Sequence, residues 1–194
     1  MRSLFRLLLL TVLLGLTAAA HSATAQETKS FTLREGVGIG RVVVGVSTRK
    51  DVMAEFGGYV MLIGHDDTFE MGYDDIGVSF WYRRDDPRKR IIRITFEAPA
   101  EAVTTRGISL DKNTLRDAAN IYGKTRLRVL SCADSYYYEY PGIQFHVDYD
   151  FDNETESEVI EKKITQIVIV PLTHNPDPPK NKSKESSPCC SKTN

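Results

Sequence analysis

The sequence predicts an α+β fold: two tandem repeats, each a short helix followed by an antiparallel sheet of three to four strands. Three observations carry this. VVVGVSTRKDVMAEFG, residues 42–57, aligns without a gap on ISLDKNTLRDAANIYG, residues 108–123. Downstream, Tyr73 and Gly77-Val78-Ser79-Phe80 find counterparts in Tyr138 and Gly142-Ile143-Gln144-Phe145. Each copy then closes with an apolar strand and a proline, IIRITFEAP to Pro99 and ITQIVIVP to Pro171. Repeats of this kind are sought first, because they set the architecture.

The chain begins with Arg2 and Arg6 as a positive segment, followed by an apolar run from Leu7 to Ala20. That run has the length of a signal-peptide core and is too short to span a bilayer. Ala23-Thr24-Ala25 supplies a small-x-small cleavage pattern, so residues 1–25 read as a signal peptide and the mature chain starts at Gln26. The expected location is periplasmic or extracellular. No cysteine follows the apolar run, so a lipoprotein anchor is not expected, and no later stretch is apolar enough for a transmembrane segment.

Residues 26–35 are a lead, repeat 1 covers 36–99 and repeat 2 covers 100–172. Gly36 to Gly40, GVGIG, reads as a flexible entry segment, since the antiparallel pattern after it does not fit a dinucleotide site. Ser47 and Asn113 are expected N-caps, their side-chain oxygens accepting from first-turn amides. Val52, Met53 and Phe56 lie at helical spacing, and Leu115, Ala118, Ala119 and Tyr122 form the matching stripe. Gly57 and Gly123 stand where a left-handed C-terminal residue belongs. Strands are expected at 59–63, 68–73, 77–82 and 90–97, then at 126–131, 135–140, 142–150 and 163–170. Val78, Phe80 and Tyr82 alternate with Ser79 and Trp81. Ile143, Phe145, Val147, Tyr149 and Phe151 alternate with Gln144, His146, Asp148 and Asp150, which places a core face against a wet face. Residues 173–194 are rich in Pro, Ser, Lys and Asn without apolar periodicity, and read as a disordered tail.

The signature Gly45, Ser47, Asp51, Val52, Phe56 and Gly57, followed by antiparallel strands, resembles the tandem helix-plus-sheet repeats of the β-lactamase-inhibitory protein. It is also similar to the small lipoprotein of the outer-membrane β-barrel assembly machinery. The resemblance spans most of residues 36–171 and implies a fold whose members bind other proteins, often on the sheet surface. The lipobox cysteine of the one and the disulfide pairs of the other have no counterpart here.

Chemistry-bearing motifs are sparse. Lys and Arg number 25 against 26 Asp and Glu, which excludes a strongly basic nucleic-acid binder. Cys132 stands alone in the folded part and Cys189-Cys190 lies in the tail, so neither a disulfide framework nor a zinc site is expected. Asp148, Asp150 and Asp152 suggest a calcium loop, but Val159 occupies the position where such a loop needs a bidentate Glu. His65 and His146 read as surface histidines. No nucleophile motif is present, so no enzyme is expected and no cofactor is implied. The aromatic set Trp81, Tyr82, Tyr136, Tyr137, Tyr138 and Tyr140 is the best interaction surface, since exposed Tyr and Trp bury much area at small entropy cost. Arg83 and Arg84 join it through the basic cluster Arg83, Arg84, Arg88, Lys89 and Arg90, which has the chain's own acidic 148–161 stretch as one possible partner. The expected function is an exported, non-catalytic module that binds another protein through its sheet face and loops. The alternative is a small-ligand or calcium-binding protein.

Overall fold

The computed structural model describes residues 29–130, 135–148 and 153–172. The expected signal peptide and tail, with Cys132, Cys189, Cys190, Tyr149, Asp150, Phe151 and Asp152, lie outside the described residues.

The fold is α+β and mostly sheet. Eight antiparallel strands form one continuous sheet: β4 (Met61–Gly64), β5 (Thr68–Tyr73), β6 (Val78–Arg83) and β7 (Ile91–Phe96), then β12 (Gln166–Ile169), β11 (Ile143–Asp148), β10 (Ser135–Tyr140) and β9 (Arg128–Leu130), in that spatial order. A separate sheet for each half is therefore corrected. β7 pairs with β12 through Phe96↔Ile167, Thr95↔Val168 and Ile94↔Ile169. That seam satisfies two rows of backbone groups that separate sheets would have left as raw edges.

Two eight-residue helices, α1 (Arg49–Phe56) and α2 (Leu115–Tyr122), lie on one face of the sheet. Helices this short are marginal alone and depend on packing. Phe56 meets Phe80 at 5.1 Å between ring centroids, and Tyr122 meets Phe145 at 5.2 Å. Leu115 and Ala118 are fully buried; Met53, expected on the packed stripe, is exposed.

The N-caps are Thr48 and Thr114, one residue later than expected. Ser47 Oγ instead accepts from the Val43 amide at 2.9 Å, and Asn113 Oδ1 accepts from the Ser109 amide at 2.8 Å. Each side chain closes the turn that enters its helix. Asp51 accepts from the Thr48 amide (2.7 Å), and Asp117 accepts from the Thr114 amide (2.9 Å). These bonds hold both carboxyls below their ordinary range.

Six short elements carry no signal in the local pattern. β1 (Ser30–Leu33) lies in the expected lead and pairs in parallel with β8 (Glu101–Thr104). β2 (Gly38–Ile39) pairs with β3 (Val42–Val43), so GVGIG is an ordered ribbon with Ile39 buried, not a flexible entry. A third helix, α3 (Glu156–Val159), lies in the acidic stretch between the strands expected at 142–150 and 163–170; Val159 is its buried anchor. A 3-10 turn, Asp74–Ile76, separates β5 from β6.

The tyrosine equivalence also shifts. Tyr73 donates its hydroxyl to the Gly57 carbonyl at 2.9 Å, and Tyr140, not Tyr138, makes the matching bond to Gly123 at 3.0 Å. Both tie a helix C-terminus to the sheet. The 3-10 turn accounts for the offset: it lengthens the first connection, whereas Tyr140 reaches Gly142 across Pro141 alone. Close backbone approach explains Gly142, whose carbonyl accepts from the Gly36 amide at 2.9 Å at φ +81°.

Candidate functional site

Strand alternation divides the sheet into two unlike faces. The helix side holds Met71, Tyr73, Val78, Phe80, Tyr82, Ile94 and Phe96 from the first four strands, and Ile143, Phe145, Val147, Ile167 and Ile169 from the last four. Three expected surface residues belong here: Tyr82 is 2% exposed, and Tyr138 and Tyr140 are each 8% exposed. They are corrected to core residues. Tyr136 packs partly buried against the same core. Their register explains it, since Tyr82 pairs across from Phe69, and Tyr138 from Phe145.

Among the described residues, no helix covers the opposite face, which keeps Trp81 and Tyr137. A ladder of flat side chains crosses it. His65 stacks on Trp81 at 4.6 Å. The Arg93 guanidinium lies 3.9 Å from the centroid of the same indole, placed there because Arg93 and Trp81 are direct cross-strand partners. Further along, Tyr137 stacks on its partner His146 at 4.7 Å with 10° between the rings. Glu70, opposite Trp81 on β5, contacts His65 Nε2 at 3.4 Å.

His146 is not a surface histidine; it is 5% exposed. Tyr137 covers one side of its ring. Its protonation follows from its neighbours. Glu139 pairs with Arg128 at 3.2 Å, and the Gln144 amide nitrogen donates to Glu139 at 3.0 Å. A carboxylate can only accept, so the Gln144 oxygen faces His146 Nε2 at 3.2 Å, and that nitrogen must donate. Nδ1 is left as a buried lone pair with no partner. Burial first, and the Arg93 charge second, push His146 down to about 4, so it is neutral at physiological pH.

A groove of about 610 Å³ opens on this face, lined among others by Trp81, Arg93, Arg83, Asp67, Gln144 and Val170. The indole Nε1 of Trp81 is a buried donor without a partner. Arg83 pairs with Asp85 through two bonds of 2.9 and 3.1 Å, and Arg90 with Asp86 at 2.9 Å. Two arginines of the basic cluster therefore meet acids of their own turn. Arg84 donates to the His65 carbonyl at 2.7 Å and lies over Phe69. Arg93 was missed in sequence. Its signal was available: a lone cation at an outward position of the apolar run IIRITF, in register with the only tryptophan.

Of the calcium candidates, only Asp148 lies among the described residues. Its carboxylate accepts from Thr165 at 3.2 Å, and Lys162 Nζ sits 3.0 Å from its carbonyl and 2.6 Å from Glu154. An ammonium thus occupies that neighbourhood. Among the described residues no cluster of three metal-ligating side chains occurs, and no helix is long and apolar enough to cross a membrane.

No protein-family model matches the chain, and no curated protein does. Among solved structures, the chain is similar to the crystal structure of a DUF4309 family protein, YjgB, from Bacillus subtilis subsp. subtilis str. 168. The two are 16% identical, with a TM-score of 0.46 over 70% of this chain and 88% of that one.

Proposed function

We propose that the chain is an exported, non-catalytic module that binds another protein through the helix-free face of its sheet and the adjoining loops. One observation carries the reading: that face holds Trp81 and Tyr137, half-buried and each fixed by stacking, among its polar side chains. Stacked, pre-ordered aromatics lose little entropy when a partner covers them. The missing nucleophile motif supports a non-catalytic role, and the apolar leader with its cleavage pattern supports export. Duplication of one helix-plus-strands unit supports the architecture. It accounts for the paired threonine–aspartate caps, the paired tyrosine tethers and the mirrored strand order on either side of β7 and β12.

Affinity capture from the native envelope or medium tests this, comparing the wild type with Trp81→Ala and Tyr137→Ala. The reading expects a specific protein whose recovery both substitutions abolish while circular dichroism stays unchanged. Recovery unaffected by either substitution would refute it. The groove favours a second reading, a small-ligand binder, since its volume falls within the range of small-molecule sites. Calorimetry against metabolite pools separates the two.

A further inference from the structure

We propose that the Trp81–Arg93 end of the groove is a carboxylate-binding site, and that its ligand is an Asp or Glu side chain in an acidic stretch of the partner protein. The inference deepens the interaction reading above and rests on it.

Charge accounting on this face singles out Arg93. Arg83 is held by Asp85, Arg90 by Asp86 and Arg128 by Glu139. Among the described residues, Arg93 has no hydrogen-bonded acid. Glu70 stands across the indole from it and acts only through its charge. A guanidinium presents five donors in a planar fork. The Arg93 guanidinium carbon lies 3.9 Å from the Trp81 ring centroid and the residue lines the groove; the edge of such a fork is the part that takes a carboxylate through two parallel bonds. Partial burial destabilises the cation, so its ionisation is pulled below the ordinary arginine range, and a bound anion relieves that cost. Trp81, whose Nε1 is buried and unpartnered, and Gln144 line the same groove.

Asp67 also lines the groove, but its charge acts on Arg83, and Arg83 stands two strand positions from Trp81. The anion therefore belongs at the Arg93 end. One arginine–carboxylate pair holds a free acid only at about millimolar concentrations. The surrounding aromatic face supplies further contact only to a ligand large enough to cover it. That size requirement points to an acidic peptide stretch rather than a free metabolite.

Trp81 is the only tryptophan in the chain, so its emission reports occupancy directly. The probe is an acetylated tetraglutamate amide at low salt, with tetraglutamine of the same length and sodium acetate as comparison arms. Expected is a saturable change in Trp81 emission with tetraglutamate alone, lost in Arg93→Gln and weakened about tenfold in Arg93→Lys. Absence of any change up to about 10 mM tetraglutamate overturns the proposal, as does an Arg93→Gln or Arg93→Lys protein that titrates like the wild type. Acetate binding as tightly as tetraglutamate overturns the assignment to a protein partner. Failures of the two readings are distinguishable. A captured protein lost on Trp81→Ala and Tyr137→Ala but retained by Arg93→Gln sinks the carboxylate site alone. Tetraglutamate binding with no such captured protein sinks the interaction reading instead.

Discussion

The two tyrosine tethers offer a paired test. Tyr73 and Tyr140 donate to Gly57 and Gly123 at 2.9 and 3.0 Å, each pinning the end of a helix to the sheet. Tyr→Phe removes only the hydroxyl and keeps the ring packing. Both rings are buried, whereas both glycines are exposed, so each freed carbonyl can turn to water. The loss is then the net value of one hydrogen bond, about 1 kcal/mol at each site, rather than the larger penalty of an orphaned buried acceptor. The sites lie in different halves of the sheet and share no partner, so the double variant should lose about 2 kcal/mol, the plain sum. Urea denaturation followed by tyrosine and tryptophan emission measures all three, with m-values expected to stay constant. A loss below about 0.3 kcal/mol at either site, or a twofold disparity between them, would refute the argument that the two tethers do the same job.

Other expectations follow from burial and charge. His146 should titrate near 4 by NMR, against 6.5 for a free histidine. Because its folded pKa is depressed, the unfolded chain takes up the proton first. Stability should fall as pH drops from about 6.5 toward 4, a slope that His146→Gln flattens; a midpoint near 6.5 would contradict the buried placement. At the alkaline end, burial raises Tyr140 to about 12. The unfolded chain therefore loses its proton first, and stability present below pH 10 should decline above it, less steeply in Tyr140→Phe. Gly142→Ala would bring a Cβ to 2.3 Å from the Gly36 nitrogen at φ +81°, and should cost about 2–4 kcal/mol in a melt. Gly123→Ala has the same kind of backbone (φ +98°) but open space around it, and should cost only about 1–2 kcal/mol.

Local periodicity made the two helices and the strand alternation legible before any coordinates. Val78, Phe80 and Tyr82 point inward as their spacing demands, and Leu115 and Ala118 anchor α2. What escaped depended on distant partners. β1 and β8 are four residues each, and neither signals a strand without the other. The β7–β12 seam has no local signature at all. The caps were missed by one residue because Ser47 and Asn113 had a competing amide four residues back. His146 was assigned to the correct face, but alternation cannot reveal that Tyr137 would lie across it. Arg93 was passed over as an ordinary outward residue, because its meaning arises only from the indole beside it.

The seam has a consequence for how the chain acquires its shape. β4 through β7 close by successive local hairpins, as β10 and β11 do, and such closures are fast; β12 joins β11 across a longer connection that holds α3. Phe96 finds Ile167 only after the whole second half has emerged. Until then β7 stands as a bare apolar margin, competent to zip onto any other nascent copy. That interval is the dangerous one, when crowding with its own kind favours aggregation over completion.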